Sequence, residues 1–484
     1  MRVVVGVDSS TSACKVEVRD LESGRVLSEG RAAHPATTPP CSEQLPSAWW
    51  DAFGLACARA GVDKPAAIAV AAQQHGMIAC DAGGSPLRPA KLWNDTESAP
   101  DADDLVEALP GGAQAWASAC GSVPVAAFTI SKLRWLRRCE PHTFRRMARV
   151  LLPHDWLTLQ LSGRAVTDRG DASGTGYWST IEGRYRLDLL ALVDDAKAWA
   201  TVLPDVLGPT EPAGTWASTG AVVAPGTGDN MAAALGLNLR PGDLVLSLGT
   251  SGTAFTRSDR PSHDPSGTVA GFADATGRYL PLVCTLNATK VTAAVMRLLG
   301  VDSPEFDRLA LSCPAGSAGL ALVPHLDGER TPNRPGATGT LTGLRSDVTR
   351  AQLARATVEG VVCNLLAGAD HLSKWEPAAN SGRVILIGGG ARSRACRQIV
   401  ADLLGRPVFI PDSDELVSRG AALQAASVLT GNRIEDIANA WNLDAGTTVD
   451  PDLTVDAGSI RAAYDRATQA AELTAVEQGQ LRLR

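Results

Sequence analysis

A chain of 484 residues is long enough for two or three domains with sizeable cores. Its 45% hydrophobic and 20% charged residues are those of an ordinary globular protein. A formal net charge of -7 argues against a dedicated nucleic-acid binder, which needs clustered Lys and Arg to displace counterions. No apolar run approaches the ~20 residues that span a bilayer. The opening "MRVVVGVDSS" turns polar too soon for a signal peptide. Ten scattered cysteines form neither a Cys-x-x-Cys pair nor a zinc-spaced Cys/His cluster, so a reducing, cytoplasmic setting is expected.

In chain order, "RVVVGVD" (2–8) is a buried apolar strand and "SSTSAC" (9–14) a small-residue turn. "KVEVRD" (15–20) alternates like a half-buried strand, and "ESGR" (22–25) is a hairpin turn. A Pro-rich loop over 34–46 precedes a helix capped by Ser47 and closed by Gly61. The strand "AAIAVAA" (66–72) runs straight into "QQHGM" (73–77). At "PGTGDNMAAALG" (225–236) a glycine-rich turn meets an alanine-rich helix, with Asp229 at the junction. The simplest role for Asp229 is a helix N-cap. Its alternative role is a proton acceptor, kept ionised by first-turn N–H groups.

"LVLSLGTSGTAFT" (244–256) repeats the strand, small-residue turn, strand pattern of 2–20 half a chain later. The recurrence predicts a duplicated α/β chain with a Pro-Gly connector near 237–243, giving domains at 1–240 and 241–484. A third glycine turn, Gly388-Gly389-Gly390, lies between an apolar strand and a helix, where a flat ligand can approach the backbone. There is no Gly-x-Gly-x-x-Gly and no P-loop. Residues 460–478 read as a surface helix.

Together these features suit phosphate chemistry. The hydroxyl-rich turns at Ser9–Ser12 and Thr250–Thr253 aim N–H and O–H groups at anionic oxygens. Asp8 ends the first strand, where a carboxylate can hold hydrated Mg²⁺. The arrangement is that of an actin-like nucleotide-binding protein.

The chain resembles the FGGY carbohydrate kinase family, and within it the xylulokinases, to about residue 430. The matching stretches are "CSEQLPSAWW" (41–50), "QQHGM" (73–77), "LWND" (92–95), "FTISKLRWL" (128–136) and "LLPHDWLTLQLSG" (151–163). Further along they are "GTGDN" (226–230), "SLGTSG" (247–252), "PHLDGERTP" (324–332) and "GTLTGLRSDVTRAQLARATVEG" (339–360). The resemblance implies two duplicated ribonuclease-H-like domains of the actin-like ATPase superfamily, with a nucleotide cleft between them. It implies ATP-dependent phosphorylation of D-xylulose, with Asp229 as catalytic base and Gln74, His75, Asp229 and Asn230 at the sugar. It also implies Thr11, Ser12, Lys15, Thr250, Gly389, Gly390 and Arg394 at the nucleotide, and Asp8 with Asp229 at Mg²⁺. Homodimers are common in such a family, although the chain shows no interface signature.

Two positions depart from the pattern: Ser10 stands where many relatives have Gly, and Thr96-Glu97 stands where relatives often carry Arg. The competing readings are a kinase of L-ribulose, a polyol or glycerol, a non-catalytic sugar sensor on this fold, and an actin-like ATPase.

Overall fold

The computed structural model describes residues 2–379 and 381–477. Gln478, the last residue of the helix expected at 460–478, lies outside the described residues; the helix itself runs Ala457–Glu477. The chain divides into two compact units that interleave in sequence. The first comprises 1–239, 259–280 and 415–444, and the second 240–258, 281–414 and 445–484.

In the first unit, strand Val3–Ser9 pairs antiparallel with Ala13–Asp20, which pairs antiparallel with Val26–Ala33. On its other side Val3–Ser9 runs parallel to Ala67–Ala72, which is parallel to Val222–Val223, itself antiparallel to Gly214–Thr215. The short strand Thr227–Gly228 extends the end of Ala67–Ala72, pairing with Ala71 and Ala72.

The second unit repeats this order. Strand Leu244–Leu248 is antiparallel to Gly252–Thr256, which is antiparallel to residues 282–285. Leu244–Leu248 is parallel to Val384–Ile387, which is parallel to Val408–Pro411, itself antiparallel to Gly446–Val449. Five successive strand relations agree in kind, so the duplication expected from two short stretches is present in the whole sheet topology. A hairpin followed by parallel crossovers also explains the sequence pattern: the parallel strands are continuous apolar runs because helices cover both faces.

On one face of the first sheet, Val5, Val7, Val16 and Val18 pack with Trp49 and Phe53 of helix Pro46–Ala60. That helix starts two residues earlier than expected, because Pro46 takes its first position and Leu45, not Ser47, is the N-cap; Gly61 closes it at φ 64 as expected. On the other face lies helix Leu416–Thr430, which comes very close through glycine. A Cβ on Gly6 would sit 1.9 Å from the Ser418 carbonyl oxygen.

Strand Ala13–Asp20 corrects the expectation of half burial, since both its faces are covered. Glu17 and Arg19 satisfy each other beneath the helix, at 2.9 Å, and Ser418 donates to Glu17 at 2.9 Å. Alternation in sequence marked a polar face, but that face is an internal ion pair and not a wet surface.

The second unit is built on helix Arg350–Trp375, whose start is a capping box of Thr349 and Gln352. Beside it, Glu329 accepts from Asn287 and Asn364, each at 2.9 Å, and His325 and Tyr464 reach Asn364 at 3.1 and 3.0 Å. Among the described residues no helix is long and apolar enough to cross a membrane. All ten cysteines carry free thiols.

Candidate active site

The first unit gathers most of the residues singled out in the sequence. Asp8 is the penultimate residue of strand Val3–Ser9 and lies opposite Lys15 in the hairpin register. Lys15 Nζ is 3.7 Å from Asp8 Oδ2 and 2.7 Å from Glu415 Oε2. Asp8 Oδ1 is buried and has no hydrogen-bond partner. Burial pushes the Asp8 carboxyl up to about 6; Lys15 pulls down and Glu415 adds repulsion.

Asp229 occupies the first position of helix Asp229–Gly236, and Gly228 is the N-cap, so Asp229 does not accept from the N–H two or three positions on, as an N-cap residue would. Asp229 Oδ1 accepts instead from the Asn230 backbone N–H at 2.7 Å and from Asn230 Nδ2 at 2.9 Å. The residue keeps some accessible surface, yet protein atoms surround the carboxyl closely enough to desolvate it. Burial raises it to about 7, with repulsion from Asp8 and Asp171 adding to the rise and the Asn230 bonds opposing it. The expectation that first-turn N–H groups would dominate is therefore corrected: they pull in the expected direction, but desolvation outweighs them.

Asn230 links this acid to the sugar-contact candidates. Its Nδ2 also donates to Gln74 Oε1 at 2.9 Å, while Gln74 Nε2 is buried and without a partner. His75 adopts φ 65, an uncommon conformation for a residue with a Cβ. Its Nδ1 lies 2.7 Å from the Gly174 carbonyl, and its ring packs against Phe128 and Phe272 with centroids at 5.0 and 5.5 Å.

The first small-residue turn is more self-contained than its composition suggested. Ser10 Oγ bonds the Ala13 carbonyl at 2.9 Å, which explains how a residue with a Cβ closes this hairpin. Thr11 Oγ1 donates to Gln73 Oε1 at 3.2 Å and accepts from Trp93 Nε1 at 2.9 Å. Ser12 is exposed.

In the second unit, Thr250 lies exposed in the turn after strand Leu244–Leu248, and its carbonyl accepts from Ala288 N–H at 3.2 Å. The triple glycine is not followed directly by the helix: a 3₁₀ turn, Gly389–Arg392, intervenes before Arg394–Leu404. A Cβ on Gly390 would meet Leu248 Cβ at 2.6 Å, whereas one on Gly389 would meet nothing within 4 Å. Gly389 thus presents bare backbone to open space. The helix beginning at Arg394 is already served: Ser393 caps it, and Asp307 accepts from Ser393 Oγ at 2.6 Å and from the Arg394 N–H at 2.7 Å. The Arg394 side chain is exposed.

Sequence reasoning missed a buried charge cluster behind Asp229. His154 Nδ1 is 2.7 Å from Asp171 Oδ2, and Nε2 is 3.2 Å from Asp155 Oδ1 and 3.9 Å from Asp168 Oδ1. Burial opposes charge on His154, but the three carboxylates prevail and raise it to about 9. Asp168 accepts from Thr227 Oγ1 at 2.8 Å, which ties the cluster to the turn carrying Asp229. The one available signal was His154-Asp155 inside an otherwise apolar helix start.

The Lys91 neighbourhood accounts for the unusual Glu97. Fully buried Lys91 bonds Asp95 at 2.9 Å and Glu97 at 2.5 Å, and stacks over Trp135 at 3.8 Å.

A duplicated α/β chain with acids and hydroxyl-rich turns at its strand ends suits the binding of phosphate groups. The N-terminal domain model of the FGGY family of carbohydrate kinases matches residues 3–236, and the family's C-terminal domain model matches 244–429. The xylulose kinase of Streptomyces coelicolor is 48% identical over 457 residues, 93% of this chain and 92% of that protein. The xylulose kinase of Streptomyces rubiginosus is 46% identical, over 93% and 92%. The crystal structure of xylulose kinase from Bifidobacterium adolescentis superposes with a TM-score of 0.83 at 40% identity, covering 96% of this chain and 99% of that one. The chain belongs to the FGGY family of carbohydrate kinases.

Proposed function

We propose that this kinase transfers the γ-phosphoryl group of ATP to the terminal hydroxyl of D-xylulose, giving D-xylulose 5-phosphate. The observation that carries the proposal is the hydrogen-bonded chain Asp229–Asn230–Gln74, which ends in a buried amide donor with no protein partner. Such a chain sets a proton acceptor and a hydroxyl-recognising group at fixed spacing, as an alcohol substrate requires. The two Streptomyces relatives are xylulose kinases, which favours a ketopentose as the alcohol.

A primary alcohol is barely ionised near neutrality. Asp229 takes its proton as the O–P bond forms, a contribution of roughly 10²–10⁴ in rate. Asn230 holds the Asp229 carboxyl in one orientation, and Gln74 and His75 position the sugar hydroxyls. Thr11 has spent its hydroxyl on Gln73 and Trp93, so its backbone N–H serves the phosphates beside Ser12 and Lys15. Within the second unit, Thr250, Gly389, Gly390 and Arg394 are the groups offered to a nucleotide.

The residues fit a divalent cation, because a buried anionic oxygen of Asp8 lacks any donor. Asp8 and Asp229 would hold Mg²⁺, which when bound neutralises charge on the phosphoryl oxygens.

A coupled ADP-release assay over D-xylulose, L-ribulose, xylitol and glycerol tests the substrate. Fastest turnover is expected with D-xylulose; a higher kcat/KM for another acceptor reassigns the substrate, and sugar-induced stabilisation without ADP release overturns catalysis. Asp229→Asn keeps the size of the side chain but is a far poorer base. It is expected to lower kcat by at least 10² with little change in Tm.

A further inference from the structure

The turn that presents Asp229 is gripped by a residue nearly two hundred positions away. The Gly226 N–H donates to Gln424 Oε1 at 3.0 Å, and Gln424 Nε2 donates to the Gly226 carbonyl at 3.1 Å. Gln424 is 1% exposed, on helix Leu416–Thr430. The primary amide thus meets both hydrogen-bonding groups of one backbone residue, as a neighbouring strand would.

Gly226 needs that service. Ladder pairing with Ala71 and Ala72 begins only at Thr227, so both peptide groups of Gly226 lie just before the first paired residue of that short strand. Its φ is 79, and a Cβ would lie 2.5 Å from the Val70 carbonyl oxygen and 2.8 Å from His154 Cδ2. The backbone is therefore left-handed, sterically confined to glycine and buried, where an unpaired N–H or C=O is costly. Three residues later stands Asp229.

The helix carrying Gln424 is itself fixed at very short range. A Cβ on Gly420 would lie 1.8 Å from the Ala232 carbonyl oxygen, and one on Gly236 would lie 2.1 Å from that of Leu416. Gln424 follows Gly420 by four residues, on the same helical face. The grip on Gly226 is therefore built on the crossing of this helix with Asp229–Gly236.

We propose that Gln424 is a positioning residue for phosphoryl transfer, an amide clamp that sets the backbone of residues 226–228 and through it the direction of the Asp229 carboxyl. The inference rests on the reading of Asp229 as proton acceptor. Misplacing a reacting group by about 1 Å costs on the order of 10² in rate, whereas binding groups elsewhere are untouched.

The test compares Gln424→Leu, Gln424→Glu and Asp229→Asn with the wild type, each assayed with ATP and D-xylulose well below its own Tm. Gln424→Leu keeps side-chain bulk and removes both bonds; a tenfold to hundredfold lower kcat is expected, with KM for ATP within threefold. Gln424→Glu retains the acceptor but sets a carboxylate against the Gly226 carbonyl. Once protonated, its carboxyl can donate as well as accept. Its kcat relative to wild type is expected to recover as pH falls from 8 to 6, a readout that loss of packing would not move.

A folded Gln424→Leu enzyme with kcat within twofold of wild type overturns the inference. Should that variant not fold, a pH-independent ratio for Gln424→Glu overturns it equally. A silent Asp229→Asn beside a fully active Gln424→Leu removes the clamp alone, whereas an active Asp229→Asn removes the reading of Asp229 itself.

Discussion

His154 is the cation against which three buried carboxyls are balanced, and the balance depends on pH. Its carboxylate neighbours lift it to about 9, while burial lifts Asp155 to about 7. A histidine raised on folding contributes stability that is complete below its unfolded value near 6.5 and is lost as pH rises through about 9. Ionisation of Asp155 acts in the same direction, because a carboxyl raised on folding costs stability as pH rises toward about 7. The Tm of the wild type should therefore fall between pH 6.5 and 9. His154→Gln should lower stability at pH 6.5 by about 3–5 kcal/mol, since it strands buried charges, and should flatten the profile. Differential scanning calorimetry across that range checks both; an equally steep profile in the variant would assign the slope to other groups. Beyond the pair His154-Asp155, nothing of this cluster was legible in the sequence. Its members sit on a helix start, a strand end and a four-residue helix, so no periodicity joins them. Asp229 was legible because glycines on one side and alanines on the other isolate it.

Helices show the same division between local and distant causes. Helix Pro46–Ala60 could be read from its own residues, to within two residues at its start and with Gly61 at its end. Helix Leu416–Thr430 could not be placed that way, because its partners are Gly6 and residues 229–236, hundreds of positions upstream. Two glycine substitutions separate the two situations. Gly54 lies within helix Pro46–Ala60, and a Cβ there would meet nothing within 4 Å. Gly54→Ala should therefore raise stability by about 0.5–1 kcal/mol through helix propensity alone. Gly420→Ala gains the same propensity but drives a methyl into the Ala232 carbonyl at 1.8 Å, so the helices must separate. A loss of about 1–3 kcal/mol is expected, together with reduced kcat, because helix Asp229–Gly236 carries the proposed base. Urea denaturation of the two variants measures the contrast; a stabilised Gly420→Ala would mean that the crossing relaxes freely.

At the scale of the molecule, the chain's two halves by sequence are not its two compact units. The matching strand orders were anticipated by the repeated strand–turn–strand stretches, but the return of 259–280 and 415–444 to the first unit was not. A linear reading follows composition along the chain, and nothing in "LVSRGAALQAASVLTG" says which sheet it covers. The consequence is physical. Without 415–444 the first sheet loses the helix over Gly6, and Glu17 and Arg19 lose the cover that makes their pair internal. Gly226 loses both bonds from Gln424 as well. A fragment of residues 1–239 should therefore lack a cooperative thermal transition, even though it contains nearly all of the first family domain, 3–236. The full chain should melt cooperatively, and adding ATP at about 100 times its Kd should stabilise it by about 2.7 kcal/mol. Calorimetry of fragment and full chain side by side decides the matter: a sharp transition in the fragment would show that the first sheet is stable with one face uncovered, and that helix Leu416–Thr430 orders the proposed base without supporting the fold.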